Sequence, residues 1–288
     1  MTTQIDDDGL IAPEIGPWGE QKYRLLQGYA KVFGTSMKKK WDARIYVDLF
    51  SGSGRSRVRD TGTILLASPL LALEIPDRFD RYIFCEKDPQ KLAALEKRVR
   101  RDYANVDVRF IPGDANEETK KIAAEVREYA RTKKKFLTFC FADPWKLENL
   151  RFSTIEQLAK LYIDFLILIP TGMDAARNVS HVYIRPENKT LDEFVGTPEW
   201  RDAWGKAELK KETFDSFLTN FYATRMEELG YRGHAAEQTQ LIRSTEKNLP
   251  LYRLAFFSRN KLGQQFWKEV KKYENPQLAW DFGAKGDN

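Results

Sequence analysis

The chain has 288 residues, 42% of them hydrophobic and 31% charged, with a formal net charge of +5. That balance suits a globular enzyme with one large domain plus additions and argues against a fibrous or largely disordered chain. Two cysteines exclude a disulfide framework, two histidines (His181 and His234) give no paired Cys/His zinc spacing, and the longest apolar run, Phe165 to Pro170, is far short of a membrane span.

The first residues carry neither a basic n-region nor an apolar h-region, so no signal peptide or membrane association is expected, and a cytoplasmic protein is. Residues 1–16, with three consecutive aspartates followed by glycine and proline, read as disordered. From Trp18 to Phe33 the apolar positions Tyr23, Leu25, Leu26, Tyr29, Ala30 and Phe33 recur at helical spacing. The spacing predicts a leading helix within residues 17–40.

A strand and helix alternation follows, with strands predicted over 45–50, 81–86, 106–111, 136–141 and 163–170. Ser68-Pro69 and Asp88-Pro89 each place a capping residue before a proline, which predicts helix starts there. Further helices are expected over 116–132 and 153–159, the latter capped by Ser153. Short Val-, Ile-, Phe- and Tyr-rich strands separated by helices imply an α/β fold, a mostly parallel sheet covered on both faces. Residues 171–230 break the alternation and read as a helical insertion packed over the strand ends. Strands over 233–244 and 251–257, then a helix over 261–273, close a domain spanning 41–275, with 276–288 as a tail.

Open parallel sheets bind ligands beyond the carboxyl ends of their strands. Four consecutive strand ends here carry matching chemistry. The first is Asp48-x-Phe50-x-Gly52-Ser53-Gly54, where glycines let backbone approach a ligand and Asp48 can accept from a ligand amine. The second is Glu86-Lys87, an acid placed to bind both hydroxyls of a ribose. The third is Gly113-Asp114-Ala115-Asn116, where Asp114 can meet an adenine amino group or simply cap a helix. The fourth is Asp143-Pro144-Trp145, which can hold a planar amino substrate by carboxylate, carbonyl and stacked indole, or can be a turn with a core tryptophan. A dinucleotide wants glycines opening a helix beneath its pyrophosphate. The next helix is expected only at Ser68, well past Gly54, which suits a ligand without phosphate.

Basic residues come in runs at Lys38–Lys40, Arg55/Arg57/Arg59, Arg98/Arg100/Arg101 and Lys133–Lys135. They read either as polyanion patches or as solvated helix ends and loops. The Arg55 group directly follows the glycine loop and is expected beside the site.

These four motifs resemble the cofactor motifs of class I methyltransferases. More closely, the chain resembles the three-Cys-motif partner family (TcmP). Further matching pieces are Trp18-x-x-x-Lys22, Ala-Ser68-Pro69-Leu-Leu-Ala-Leu-Glu, Phe194-Val-Gly-Thr-Pro-Glu-Trp200 and Leu251-Tyr-Arg-Leu-Ala-Phe-Phe-Ser-Arg, within about residues 18–270. The resemblance implies a Rossmann-like methyltransferase fold with S-adenosylmethionine (SAM) as cofactor. It implies Asp48, Gly52, Gly54, Glu86 and Asp114 as the cofactor set, with Phe50, Ser53, Lys87 and Ala115 beside them. Asp143 would face the methyl group, with Trp145 stacking. Ser53 stands where the family often has proline, and Trp145 where phenylalanine is expected. Lys22, Arg55, Pro144 and Arg177 are candidates for binding an anionic substrate.

The resemblance also implies a partner protein whose three cysteines hold an iron–sulfur cluster. Three functions follow as expectations. One is a methyltransferase acting on a nitrogen or similar group of a nucleotide, nucleic acid or other anionic substrate. Another is a non-catalytic SAM-binding subunit, supported by exposed-looking aromatics at Tyr183, Phe194, Trp200 and Trp204, which could instead cover the site or close a core. The third is a nucleic-acid-binding or processing enzyme that uses the pocket for a nucleotide.

Overall fold

The computed structural model describes residues 5–232, 236, 239–245 and 247–273. A seven-stranded sheet forms its centre. Its strands are β2 (Ala43–Asp48), β5 (Arg81–Glu86), β6 (Val108–Pro112), β7 (Phe136–Ala142), β8 (Ile163–Ile169), β9 (Gln240–Arg243) and β10 (Pro250–Phe257). They lie in the order β6-β5-β2-β7-β8-β10-β9. The pairs from β6 to β8 are parallel, and β10 runs antiparallel to both β8 and β9. The chain therefore has a Rossmann-like α/β fold, with an antiparallel hairpin at one edge.

Strand β2 is buried at all six positions because both faces of the sheet are covered. Ile45 and Val47 enter one core, with α4 (Thr119–Ala130) and α5 (Phe152–Ala159). Tyr46 enters the other, with α1 (Gly19–Met37), α2 (Ser68–Leu73), α3 (Pro89–Asp102) and α10 (Lys261–Tyr273). The alternation follows from the two-residue side-chain period of a strand. Asp88 caps α3 as expected, its Oδ1 accepting from the Gln90 and Lys91 amides at 2.9 and 3.2 Å. At α5 the N-cap position is Arg151, so Ser153 sits inside the helix and does not cap it.

The segment after β8 carries α6 (Met173–Asn178), α7 (Thr190–Val195), α8 (Trp200–Leu209) and α9 (Phe214–Glu228). These helices join the first core rather than lying only over strand ends. Phe194, Trp200 and Trp204 are all buried there, and half-buried Tyr183 packs against that core. The expectation that this aromatic group is exposed for a partner is therefore corrected for three of the four. Their hydrophobic area goes into covering the sheet.

Three short strands were not foreseen. The glycine loop leads into a hairpin of β3 (Arg55–Val58) and β4 (Ile64–Leu66), and β1 (Glu14–Ile15) adds to it in parallel. Residues 5–15, read from sequence as disordered, form a strap over this hairpin. Asp8 pairs with Arg98, Arg55 and Arg101, and Asp7 with Arg57. The fully buried Arg98 guanidinium also donates to Leu10, Ile11 and Ser53 carbonyls at 2.7–3.1 Å.

Asp164, the second residue of β8, is buried near the amino end of that strand, and burial pushes its carboxyl up to about 7 against help from Ser258 and Arg259. The folded chain thus holds this proton more tightly than the unfolded one. The stabilisation is complete below the ordinary carboxylate value and is lost as pH rises toward about 7. Asp164→Asn is expected to remove that loss. Thermal melts should then place the variant above the wild type at pH 8, with the gap closing at pH 4; a constant gap would contradict the assignment.

Candidate functional site

Beyond the carboxyl ends of β2, β5, β6 and β7 lies a cavity of about 510 Å³. Of the residues singled out from sequence, Lys22, Phe50, Gly52, Glu86, Lys87, Asp114, Ala115, Asp143 and Trp145 line it. The four strand-end motifs thus converge as expected from the topology.

Gly52 adopts φ +62° with no atom within 4 Å of where a side chain would start, so its backbone faces open space. Its amide donates to Glu86 Oε2 at 2.8 Å, and Glu86 Oε1 accepts from the Asp88 amide at 2.9 Å. Each carboxylate oxygen retains a lone pair for a ligand hydroxyl. Gly54 has φ +83°, and a Cβ there would lie 2.8 Å from Leu95 and 2.9 Å from Leu70. Here glycine serves close packing between loop and helices rather than ligand approach.

Asp114 Oδ1 accepts from the Asn116 amide and side chain, each at 2.9 Å, while Oδ2 has only Lys87 Nζ at 3.9 Å. Asp114 lines the cavity, so Oδ2 is able to accept from a ligand amino group. Asp143 Oδ2 pairs with Lys22 Nζ of α1. Burial alone would pull the Lys22 ammonium down, but Asp143, with Tyr23 and Tyr252 nearby, raises it, so the lysine stays charged. Tyr23 and Ser56, which share a 3.0 Å hydrogen bond, complete this corner and were missed from sequence. Trp145 is 76% exposed at the rim, so it is not a core tryptophan.

Asp48 is fully buried beneath the loop. Burial raises its carboxyl to about 7, opposed by hydrogen bonds from Ser68, the Phe50 amide and Tyr46. It therefore shapes the glycine loop from below and does not face the cavity, against the expectation of direct ligand contact. Ser53 Oγ is spent on the Arg55 carbonyl at 2.9 Å. Arg55 is turned to the strap, 2.7 Å from the Asp6 carbonyl, and does not line the cavity. The expectation that it binds substrate is corrected: the acidic strap satisfies it. Pro144 is not a lining residue either. Arg177 lies in α6, but its side chain lies outside the described residues, as does His234. The strap supplies Pro13, Glu14 and Ile15 to the cavity wall, which no local sequence signal indicated.

No helix among the described residues is long and apolar enough to cross a membrane. No family model and no curated protein matches the chain. Solved structures do align with it. A Legionella pneumophila protein labelled DUF519 is 12% identical, with 88% of this chain and 93% of that one covered and a TM-score of 0.49. Trm1 from Pyrococcus horikoshii, in complex with S-adenosyl-L-methionine, is 10% identical over 93% of this chain and 64% of that one, with a TM-score of 0.43. A SAM-dependent methyltransferase from Geobacter sulfurreducens, with S-adenosyl-L-homocysteine, is 14% identical over 87% and 78%, with a TM-score of 0.36. At these identities the likeness concerns fold alone.

Proposed function

We propose that the cavity binds SAM and that the chain transfers its methyl group to a nitrogen or similar nucleophile of a nucleotide, nucleic acid or other anionic substrate. The observation that carries this reading is the convergence of Gly52, Glu86, Asp114 and Asp143 on one cavity of about 510 Å³. That volume lies within the usual range for cofactor pockets. Glu86 would hold the ribose hydroxyls and Asp114 Oδ2 the adenine amino group, with the Gly52 backbone beside the amino-acid portion. When bound, SAM supplies an already activated methyl group.

The chain's own task is alignment of the acceptor and exclusion of water. Asp143 Oδ2 is held by Lys22, which leaves Oδ1 to accept a hydrogen from the acceptor nitrogen. The pairing favours orientation by Asp143 over proton removal. Lys22 has two further N–H donors for an anionic or carbonyl group next to the acceptor. Trp145 stands at the rim where a planar acceptor would stack.

The likeness to the three-Cys-motif partner family adds a three-cysteine iron–sulfur protein as partner. Phe194, Trp200 and Trp204 are committed to the core, so docking would use another surface.

Incubation with methyl-labelled SAM and pools of nucleotides, RNA and DNA tests the catalytic reading. Label is expected in one nucleotide-containing pool with wild type. It should fall by at least ~100-fold in Asp143→Ala, the scale of losing an orienting group. Equal labelling by both proteins would remove Asp143 from the reaction.

A further inference from the structure

The fold joins the two lysine runs at the amino ends of the central strands, the rim of the sheet opposite the cavity. Lys38–Lys40 precede β2, and Lys133–Lys135 precede β7. These strands are neighbours, with Ala43 opposite Phe136. Asp42 fastens the two approaches together. Its amide donates to the Lys135 carbonyl at 2.9 Å, and its Oδ2 accepts from the Lys134 and Lys135 amides at 3.1 and 3.0 Å. The third approach, 160–162 before β8, lies alongside, the Thr138 amide donating to the Tyr162 carbonyl at 3.3 Å. It brings exposed Lys160 and the 69%-exposed Tyr162.

Few carboxylates balance this edge. Asp77 pairs with Lys38 at 2.6 Å, and Asp42 accepts from backbone. Among the described residues, no ion pair is found for Lys39, Lys40, Lys134, Lys135 or Lys160. Helix dipoles explain only part of the pattern, because they reward cations within the last turn. The last turn of α1 holds none, and the last turn of α4 holds Arg127 alone. The lysines come after the helix ends, where they collect on the loops.

We propose that this edge binds the phosphodiester backbone of a single-stranded nucleic acid, with Tyr162 as a stacking platform for an unpaired base. Closely spaced cations match a polyanion. An exposed ring among them favours a nucleic acid over an acidic polypeptide, because bases stack on aromatics at little cost in sequence tolerance. The site is separate from the cavity. The six residues of β2 span the sheet between them, roughly 20 Å at about 3.3 Å per residue. The surface stands whether or not the cavity binds SAM.

The test is fluorescence anisotropy of the full chain with a labelled oligouridylate of about twenty nucleotides, across a salt series. Wild type is expected to bind with affinity that falls steeply as salt rises. Lys39→Glu/Lys40→Glu and Lys134→Glu/Lys135→Glu should each weaken binding at least ~10-fold and flatten the salt slope. Tyr162→Ala should weaken the single strand more than a duplex of equal length. Lys206→Glu/Lys210→Glu, at exposed positions in and just after α8, changes net charge equally and should have little effect. Circular dichroism melts confirm that each variant folds. The proposal is overturned if wild type does not bind, if the α8 variant loses as much as the others, or if polyglutamate or phosphatidylserine vesicles bind as tightly as the oligonucleotide.

Discussion

Arg98→Ala is expected to destabilise the chain by about 3–5 kcal/mol, the cost of breaking a buried ion pair by removing one partner. The guanidinium is fully buried, and it holds both Asp8 oxygens, at 2.9 and 2.7 Å. It also satisfies three backbone carbonyls, one of them Ser53 in the glycine loop. Removing it leaves Asp8 with the Leu10 amide at 3.3 Å and the partial support of Arg55 and Arg101. Urea unfolding of Arg98→Ala, Asp8→Ala and the double variant measures this. The double variant should lose much less than the two single losses added together, since the two residues act as a unit. A loss below about 1 kcal/mol in Arg98→Ala would mean that the strap does not dock on the loop in solution. Because the strap forms part of the cavity wall, the same variants should also bind cofactor less well.

Glu86→Ala is expected to weaken SAM binding by about 1.5–3 kcal/mol, roughly 10- to 150-fold, the scale of hydrogen bonds to a charged group. Two losses combine there. The ligand loses its hydroxyl acceptor, and the Gly52 and Asp88 amides lose the carboxylate that orders them. Glu86→Gln should fall between wild type and alanine, because its carbonyl oxygen can still take one amide while its NH2 cannot take the other. Wild-type affinity in Glu86→Ala would place the cofactor elsewhere.

The sheet and the strand-end acids could be read from the sequence because their signals are local. Strand period, glycine spacing and the Asp88-Pro89 cap each act within a few residues. Parallel topology then brings Glu86, Asp114 and Asp143 together without any further information. What could not be read depends on partners far along the chain. The aspartates of residues 6–8 look like a solvated tail until Arg98, some ninety positions away, is seen beneath them. Lys22 looks like a solvated helix residue until it meets Asp143, 121 positions later. Arg55–Val58 carries a short alternation of inward and outward residues, and Gly62 turns the hairpin at φ +68°. That signal was present but was hidden by three arginines that read as a patch. Trp200 and Trp204 show the opposite failure, since nothing local distinguishes a tryptophan covering a sheet from one awaiting a partner.

The central claim is that the cavity is a SAM site. Calorimetric titration of the full chain with SAM, its demethylated product, NADH and ATP tests it most directly. The account predicts saturable one-to-one binding of SAM and its product, with no heat from NADH or ATP. Binding of NADH or ATP in their place, or no binding of SAM and its product, would contradict it.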